Sequence, residues 1–294
     1  IRTMPWIIDV LFERPLAQPW AAYDAYESSW TVFFASVVVI AAGYKALHFA
    51  LLATSERYRG LKKKQVYIHS NIVKALWLWF MVVAVWPILC QPFLGDEVWN
   101  ANIWHHASGM YAAVDLVSLV LVKDHHMSTF VHHIASVSVN LVAMHFSDLS
   151  KPTIWKPFLV YGLFSTIAYS VNGFLGARFL FPRGHFFPRV LCIFALVVYI
   201  VACAFNWSSQ VIYVSTHFEH LKADLHWVAI YAVAILAFMR DDVKLMACVC
   251  LGLVAHGEQV PLQFRGQRRP PCDGRRFACC SWRKGQVKTT LLEK

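Results

Sequence analysis

The stretch Tyr111–Leu141, YAAVDLVSLVLVKDHHMSTFVHHIASVSVNL, sets two apolar runs on either side of a short polar link. An aspartate lies inside the first run and a His-His pair inside the second. At 3.6 residues per turn each run carries one polar stripe. In the first, Ser108, Tyr111, Asp115 and Ser118 follow at steps of three, four and three; in the second, Thr129, His133, Ser136 and Asn140 follow at four, three and four, with His132 beside them. So short a link makes the two helices an antiparallel hairpin. Asp115 and the pair His132-His133 then lie at depths that differ by roughly 6–8 Å, at about 1.5 Å per residue. A carboxylate and two imidazoles are expected to share one cavity near the inner end of the hairpin.

The residues around the hairpin place it in a membrane. Of 294 residues 58% are hydrophobic and 15% charged, where a soluble domain has about 25% charged. The apolar residues come in blocks of about 20, the length that spans the hydrocarbon layer. Seven candidate spans are expected: Trp30–Leu52, Ile72–Leu89, Ile103–Val122, Phe130–Phe146, Pro157–Phe181, Val190–Val214 and Leu225–Met239. The fold class is all-α, a multi-pass transmembrane bundle of six to seven spans. Four regions are expected: an extramembrane segment over 1–29, the transmembrane domain over 30–240, a short apolar re-entrant or interfacial segment over 241–256, and a basic tail over 257–294. No secretory signal peptide is read at the start. Trp30, Trp104 and Trp227 sit near span ends, as in an aromatic belt.

Lys and Arg set the orientation. The odd loops carry Arg57, Arg59, Lys62, Lys63, Lys64, Lys123, Arg178, Arg183 and Arg189; the even loops carry only Lys151, Lys156 and Lys222. The odd loops should therefore face the cytosol or matrix. Net charge is +10, and the tail RGQRRPPCDGRRFACCSWRKGQVK holds much of it. Such a segment is expected to be disordered unless a protein partner orders it, and to contact anionic headgroups. No nucleic-acid module accompanies it, so nucleic acid is not an expected partner. Cys90, Cys192, Cys203, Cys248 and Cys250 read as buried small hydrophobes. Cys272, Cys279 and Cys280 lack zinc-site spacing, so neither a metal site nor a disulfide framework is expected.

The fifth span adds Ser165, Tyr169 and Asn172 on one face, followed by Gly173 and Gly176. In lipid, three polar stripes must face each other or water. For Ser108, Ser118, Ser136 and Ser165 ordinary hydrogen bonding between helices accounts for the residue. Asp115, His132 and His133 are ionisable and costly to keep in a membrane, which favours a functional role. His125-His126 falls in a loop, where solvated histidine is the default. His105-His106 falls at the opposite interface, where headgroup contact explains it.

Three resemblances bear on the histidines. Fatty-acid elongases carry HxxHH, but Thr129 makes this stretch TxxHH; membrane di-iron desaturases need HxxxH and HxxHH boxes absent here. The stretch YAAVDLVSLVLV…TFVHHIASVSVNL instead resembles the centre of the TLC-domain family, which includes ceramide synthases and smaller proteins of lipid homeostasis. Tyr111 and Asp115 on one span, and His132-His133-Ile134 at the start of the next, carry the likeness. The basic first loop and the FFPRV segment, Phe186–Val190, agree with it. The fifth span has GLFSTIAYSVN, Gly162–Asn172, in place of the family's ExSTPF, and the longer HDxxD signature of ceramide synthases is missing. The chain thus looks closer to the small TLC-domain branch.

The resemblance implies a membrane protein of lipid metabolism, in the endoplasmic reticulum or alternatively the mitochondrial inner membrane. It further implies acyl transfer with acyl-CoA as co-substrate and no other cofactor. His132, His133 and Asp115 would be catalytic. Tyr111, Ser136, Asn140, Ser165, Tyr169 and Asn172 would bind substrate, and Lys62 to Lys64 would attract the CoA phosphates. Two further readings stay open: a non-catalytic lipid-binding protein, and a structural subunit of a larger membrane complex.

Overall fold

Large apolar side chains cover the outside of this molecule, and charged ones lie inside it. Phe34, Val38, Trp79, Val197, Phe205, Val211, Val233 and Leu236 are exposed, whereas Asp115, His133, Lys156, Asn140, Asn206 and Gln210 are buried. A soluble core has the opposite polarity. The computed structural model describes residues 21–84, 99–122, 127–182, 185–222 and 225–257, and no strand occurs among the described residues. The chain is all-helical: α1 (Ala21–Thr54), α2 (Glu56–Gly60), a 3₁₀ turn over Lys62–Lys64, α3 (Gln65–Ala84), α4 (Ala101–Leu121), α5 (Met127–Phe146), α6 (Trp155–Thr166), α7 (Tyr169–Ala177), α8 (Phe186–Leu221) and α9 (Leu225–Gly257).

By length and composition, four segments could cross a membrane: Ser28–Thr54, Lys62–Ala84, Trp155–Ala177 and Phe186–Leu221. The chain is therefore read as an integral membrane protein. α4 and α5 fall short of the apolar standard because their stripes are polar, and α9 because Arg240, Asp241, Asp242 and Lys244 interrupt it. α4 is the central helix. Nearly all of it from Ile103 to Ser118 is buried, packed between α1 and α5. Gly109 permits the close approach of α1, since a Cβ there would lie 3.3 Å from both Phe33 Cβ and Ser29 O. α7 packs on α3 through Gly176, whose added Cβ would meet Ile72 Cγ1 at 2.7 Å and the Ile68 carbonyl oxygen at 2.9 Å. Small residues at such crossings let membrane helices approach backbone to backbone.

Several details differ from the sequence expectation. The fifth span is two helices. Ser165 Oγ donates to Tyr161 O and Thr166 Oγ1 to Leu163 O, and the next two amides, Ile167 and Ala168, bond three residues back. Hydroxyl back-bonding of this kind bends a helix, so Ser165 and Tyr169 do not share a continuous stripe. The last span does not stop at Met239. α9 continues unbroken to Gly257, so residues 241–256 belong to the same helix and the charges at 240–244 lie mid-helix.

Trp104 is 1% exposed and stacks on Trp99 at 4.6 Å, which places it in the core rather than in a belt. Lys156, counted among the loop cations, is fully buried at the start of α6, with its ammonium 5.0 Å from the Trp99 ring centroid. His105 and His106 bond helices rather than headgroups: His105 Nε2 lies 3.0 Å from Ser147 Oγ, and His106 Nε2 lies 3.1 Å from Ser28 Oγ on α1. Cys192 and Cys203 are buried, but Cys250 is exposed. The loop pair His125-His126, Cys90 and the basic tail lie outside the described residues.

Candidate functional site

The hairpin of α4 and α5 builds the site. Ser108 Oγ on α4 lies 2.8 Å from Asn140 O and 3.0 Å from its Oδ1 on α5. The Asn140 amide donates back to Ser136 O at 2.8 Å. These bonds fix the register in which the two stripes meet. Thr129, the first member of its stripe, is exposed, so the shared polar face begins at His133.

About two helical turns from that seam lies Asp115, which is fully buried. Its Oδ1 accepts from Lys74 Nζ of α3 at 2.7 Å and lies 2.9 Å from His133 Nδ1. Among the described residues no donor reaches its Oδ2. Lys74 neutralises the carboxylate, so a neutral His133 suffices beside it. A Nδ1–H directed at Oδ1 would fix the His133 tautomer and leave Nε2 with its lone pair, as carboxylate–imidazole pairs do in acyl-transfer enzymes.

His132 also meets α9. Its Nδ1 lies 3.5 Å from Asp241 Oδ2 of α9, and its ring meets Phe238 edge-on with centroids 5.1 Å apart. The neighbouring Asp242 accepts from Tyr199 of α8 at 2.6 Å and also from Tyr161 of α6. The His pair therefore sits between two acidic groups carried by different helices.

A narrow crevice with about 20 Å³ of free space opens beside His132, lined also by Tyr111, Ser136, Asn140, Tyr161 and Phe238. A second, of about 10 Å³, includes Met81, Trp104, Leu159 and Leu163. The two share Tyr111, Asn140 and Gly162, so they adjoin back to back through the middle of the bundle. No protein-family model, curated protein or solved structure matches this chain.

The residues singled out in the sequence divide into two groups. Asp115, His132, His133, Tyr111, Ser136 and Asn140 come together around the hairpin. Ser165, Tyr169 and Asn172 do not line either crevice. Ser165 bonds back to Tyr161 O and also reaches Tyr111; Tyr169 packs against the apolar cluster that includes Val73 and Tyr111; the Asn172 amide lies 3.4 Å from Ala168 O of its own segment. Sequence reasoning passed over Lys74, Tyr161, Tyr199, Asp241 and Asp242. Lys74 carried a readable signal, being an ionisable residue inside an apolar run. The tyrosines carried none, because aromatic residues are ordinary in such helices.

Proposed function

We propose that this chain is a TLC-domain-like membrane protein of lipid metabolism that transfers an acyl group from acyl-CoA to a lipid amine or hydroxyl. The observation that supports it best is the buried Asp115–His133 contact beside His132, whose ring borders a crevice. A histidine there removes the acceptor's proton while the acceptor oxygen or nitrogen attacks the thioester carbonyl. Asp115 and Lys74 hold the second imidazole in place and fix the local charge. Tyr111, Ser136 and Asn140 offer polar atoms to a headgroup. In this reading α4, α5 and α9 cross the membrane too, giving seven passes. A central helix screened from lipid by its neighbours need not be apolar, and the burial of α4 supports that.

A second reading keeps the site without the chemistry. Free space beside His132 is only about 20 Å³, far below the roughly 300–1,000 Å³ of a pocket that encloses a ligand. Two substrates do not fit there together, which favours a protein that contacts lipid without transforming it. Mass spectrometry on the purified protein in lipid nanodiscs, with and without added acyl-CoA, separates the two. Acylated lipid and free CoA, sharply reduced in His132→Ala, support the enzyme. A retained, unchanged lipid with no CoA release supports the binding protein.

A further inference from the structure

α9 carries four charged residues in five positions, Arg240, Asp241, Asp242 and Lys244, in the middle of an otherwise apolar helix. Charges at such a place are costly to keep, and the two aspartates are used differently. Asp242 fastens the helix: Tyr199 and Tyr161 both donate to it, which ties α9 to α8 and α6 together. A residue one position away on a helix points about 100° around the axis. With Asp242 fastened, Asp241 is turned toward α5, where it meets His132. Phe238, one turn earlier on the same face, stands against that histidine's ring. α9 thus places a carboxylate at ion-pair distance, 3.5 Å, from Nδ1 without a hydrogen bond, and a wall against the ring.

The two histidines are consequently unequal. His133 is 7% exposed and engaged with Asp115. The His132 side chain is 27% exposed and borders the crevice. We infer that His132 is the imidazole that meets the substrate, and that Asp241 is its positioning residue, its charge 3.5 Å from Nδ1 stabilising the imidazolium that forms as Nε2 serves the crevice. The role rests on the acyl-transfer reading above. In it, the acceptor O–H or N–H gives its proton to His132 Nε2 as the acceptor atom bonds to the thioester carbonyl carbon. The C–S bond then breaks, and the departing CoA thiolate takes the proton from Nε2. The products are the ester or amide and CoA–SH, with no oxidant or metal required. Asp241 keeps its charge throughout. The 3.1 Å contact from Lys244 Nζ to its other oxygen helps to hold it in place.

The test uses full-length protein in nanodiscs and follows CoA release from acyl-CoA. The variants are Asp241→Asn, Asp241→Glu, His132→Ala, and His132→Ala combined with Asp241→Asn. Asp241→Asn should lower kcat about 10-fold or more, a part of the 10²- to 10⁴-fold that a general base contributes, with KM little changed. Asp241→Glu should recover a measurable share of that loss. The double variant should be no slower than His132→Ala alone, because a residue acting through His132 has nothing left to act on. A purely structural aspartate would instead depress both backgrounds equally, and that result overturns the assignment. So does wild-type kcat in Asp241→Asn. If the wild-type protein itself releases no CoA, the acyl-transfer reading fails and the positioning role falls with it. That outcome is distinct from an active protein indifferent to Asp241.

Discussion

Replacing Lys74 with methionine keeps the side chain's length and removes its charge. In the wild-type protein the ammonium lies 2.7 Å from a fully buried carboxylate. At an effective dielectric of about 20, two unit charges at that separation attract by about 6 kcal/mol. Desolvation offsets part of this, and removing one partner of a buried pair typically costs about 3–5 kcal/mol. For a chain of this size 1 kcal/mol is worth roughly 2–4 °C, so Lys74→Met should lower the unfolding temperature by roughly 6–20 °C. Adding Asp115→Asn should recover most of the loss. The second change removes the stranded charge and still offers His133 an oxygen. Thermal unfolding of the two variants in the same nanodisc lipid checks both steps. A Lys74→Met protein as stable as wild type, or one that Asp115→Asn makes worse, would refute the ion-pair argument.

Other changes probe other parts of the molecule. Gly176→Ala places a methyl 2.9 Å from a backbone oxygen of α3 and should cost about 1–3 kcal/mol, read as a lower unfolding temperature; an unchanged temperature would mean that α7 and α3 are not in contact. His132→Ala and His133→Ala should each lower CoA release about 100-fold or more to a residual rate, or lower lipid retention, without unfolding the protein, while His125→Ala with His126→Ala should cost little. Essential loop histidines alongside a silent Asp115 would move the site off the hairpin. Ending the chain at Gly257 should leave expression intact and weaken retention on anionic liposomes, more so at low salt; equal retention at every salt concentration removes the headgroup role of the tail. Glycosylation sites introduced beside Lys62–Lys64 should remain unmodified if that loop faces the cytosol or matrix, and their modification reverses the orientation.

The helical class and the hairpin site were legible because period and cost point the same way. Apolar blocks of spanning length leave little choice but helix, and an aspartate or paired histidines inside them stand out against that background. The partners were harder to read. Lys74 interrupts an apolar run alone, with no polar stripe to give it a direction. Asp241 and Asp242 were misplaced for a definite reason. Four charges within five residues ordinarily mark the end of a span, so Met239 read as the boundary. Only the tertiary pairing of Asp242 with two tyrosines reveals that the helix continues. The break between α6 and α7 was hidden as well. A hydroxyl that bonds back to its own helix has the same one-letter code as one that reaches a neighbour.

The burial of α4 has a bearing on how the protein is made. On the seven-pass reading this helix must enter the bilayer, yet an aspartate at a helix centre opposes insertion by roughly 2.5–3.5 kcal/mol. Asp115, His105, His106 and Ser108 together give it little reason to leave the translocation channel alone. α1 and α3, which emerge from the ribosome first, are there to receive it: α1 packs against its Gly109, and α3 supplies the counter-charge of Lys74. Membrane integration of α4 is then a handover to waiting helices. A Lys74 variant should show its defect during biogenesis as well, as nascent chain stalled or degraded before the bundle closes.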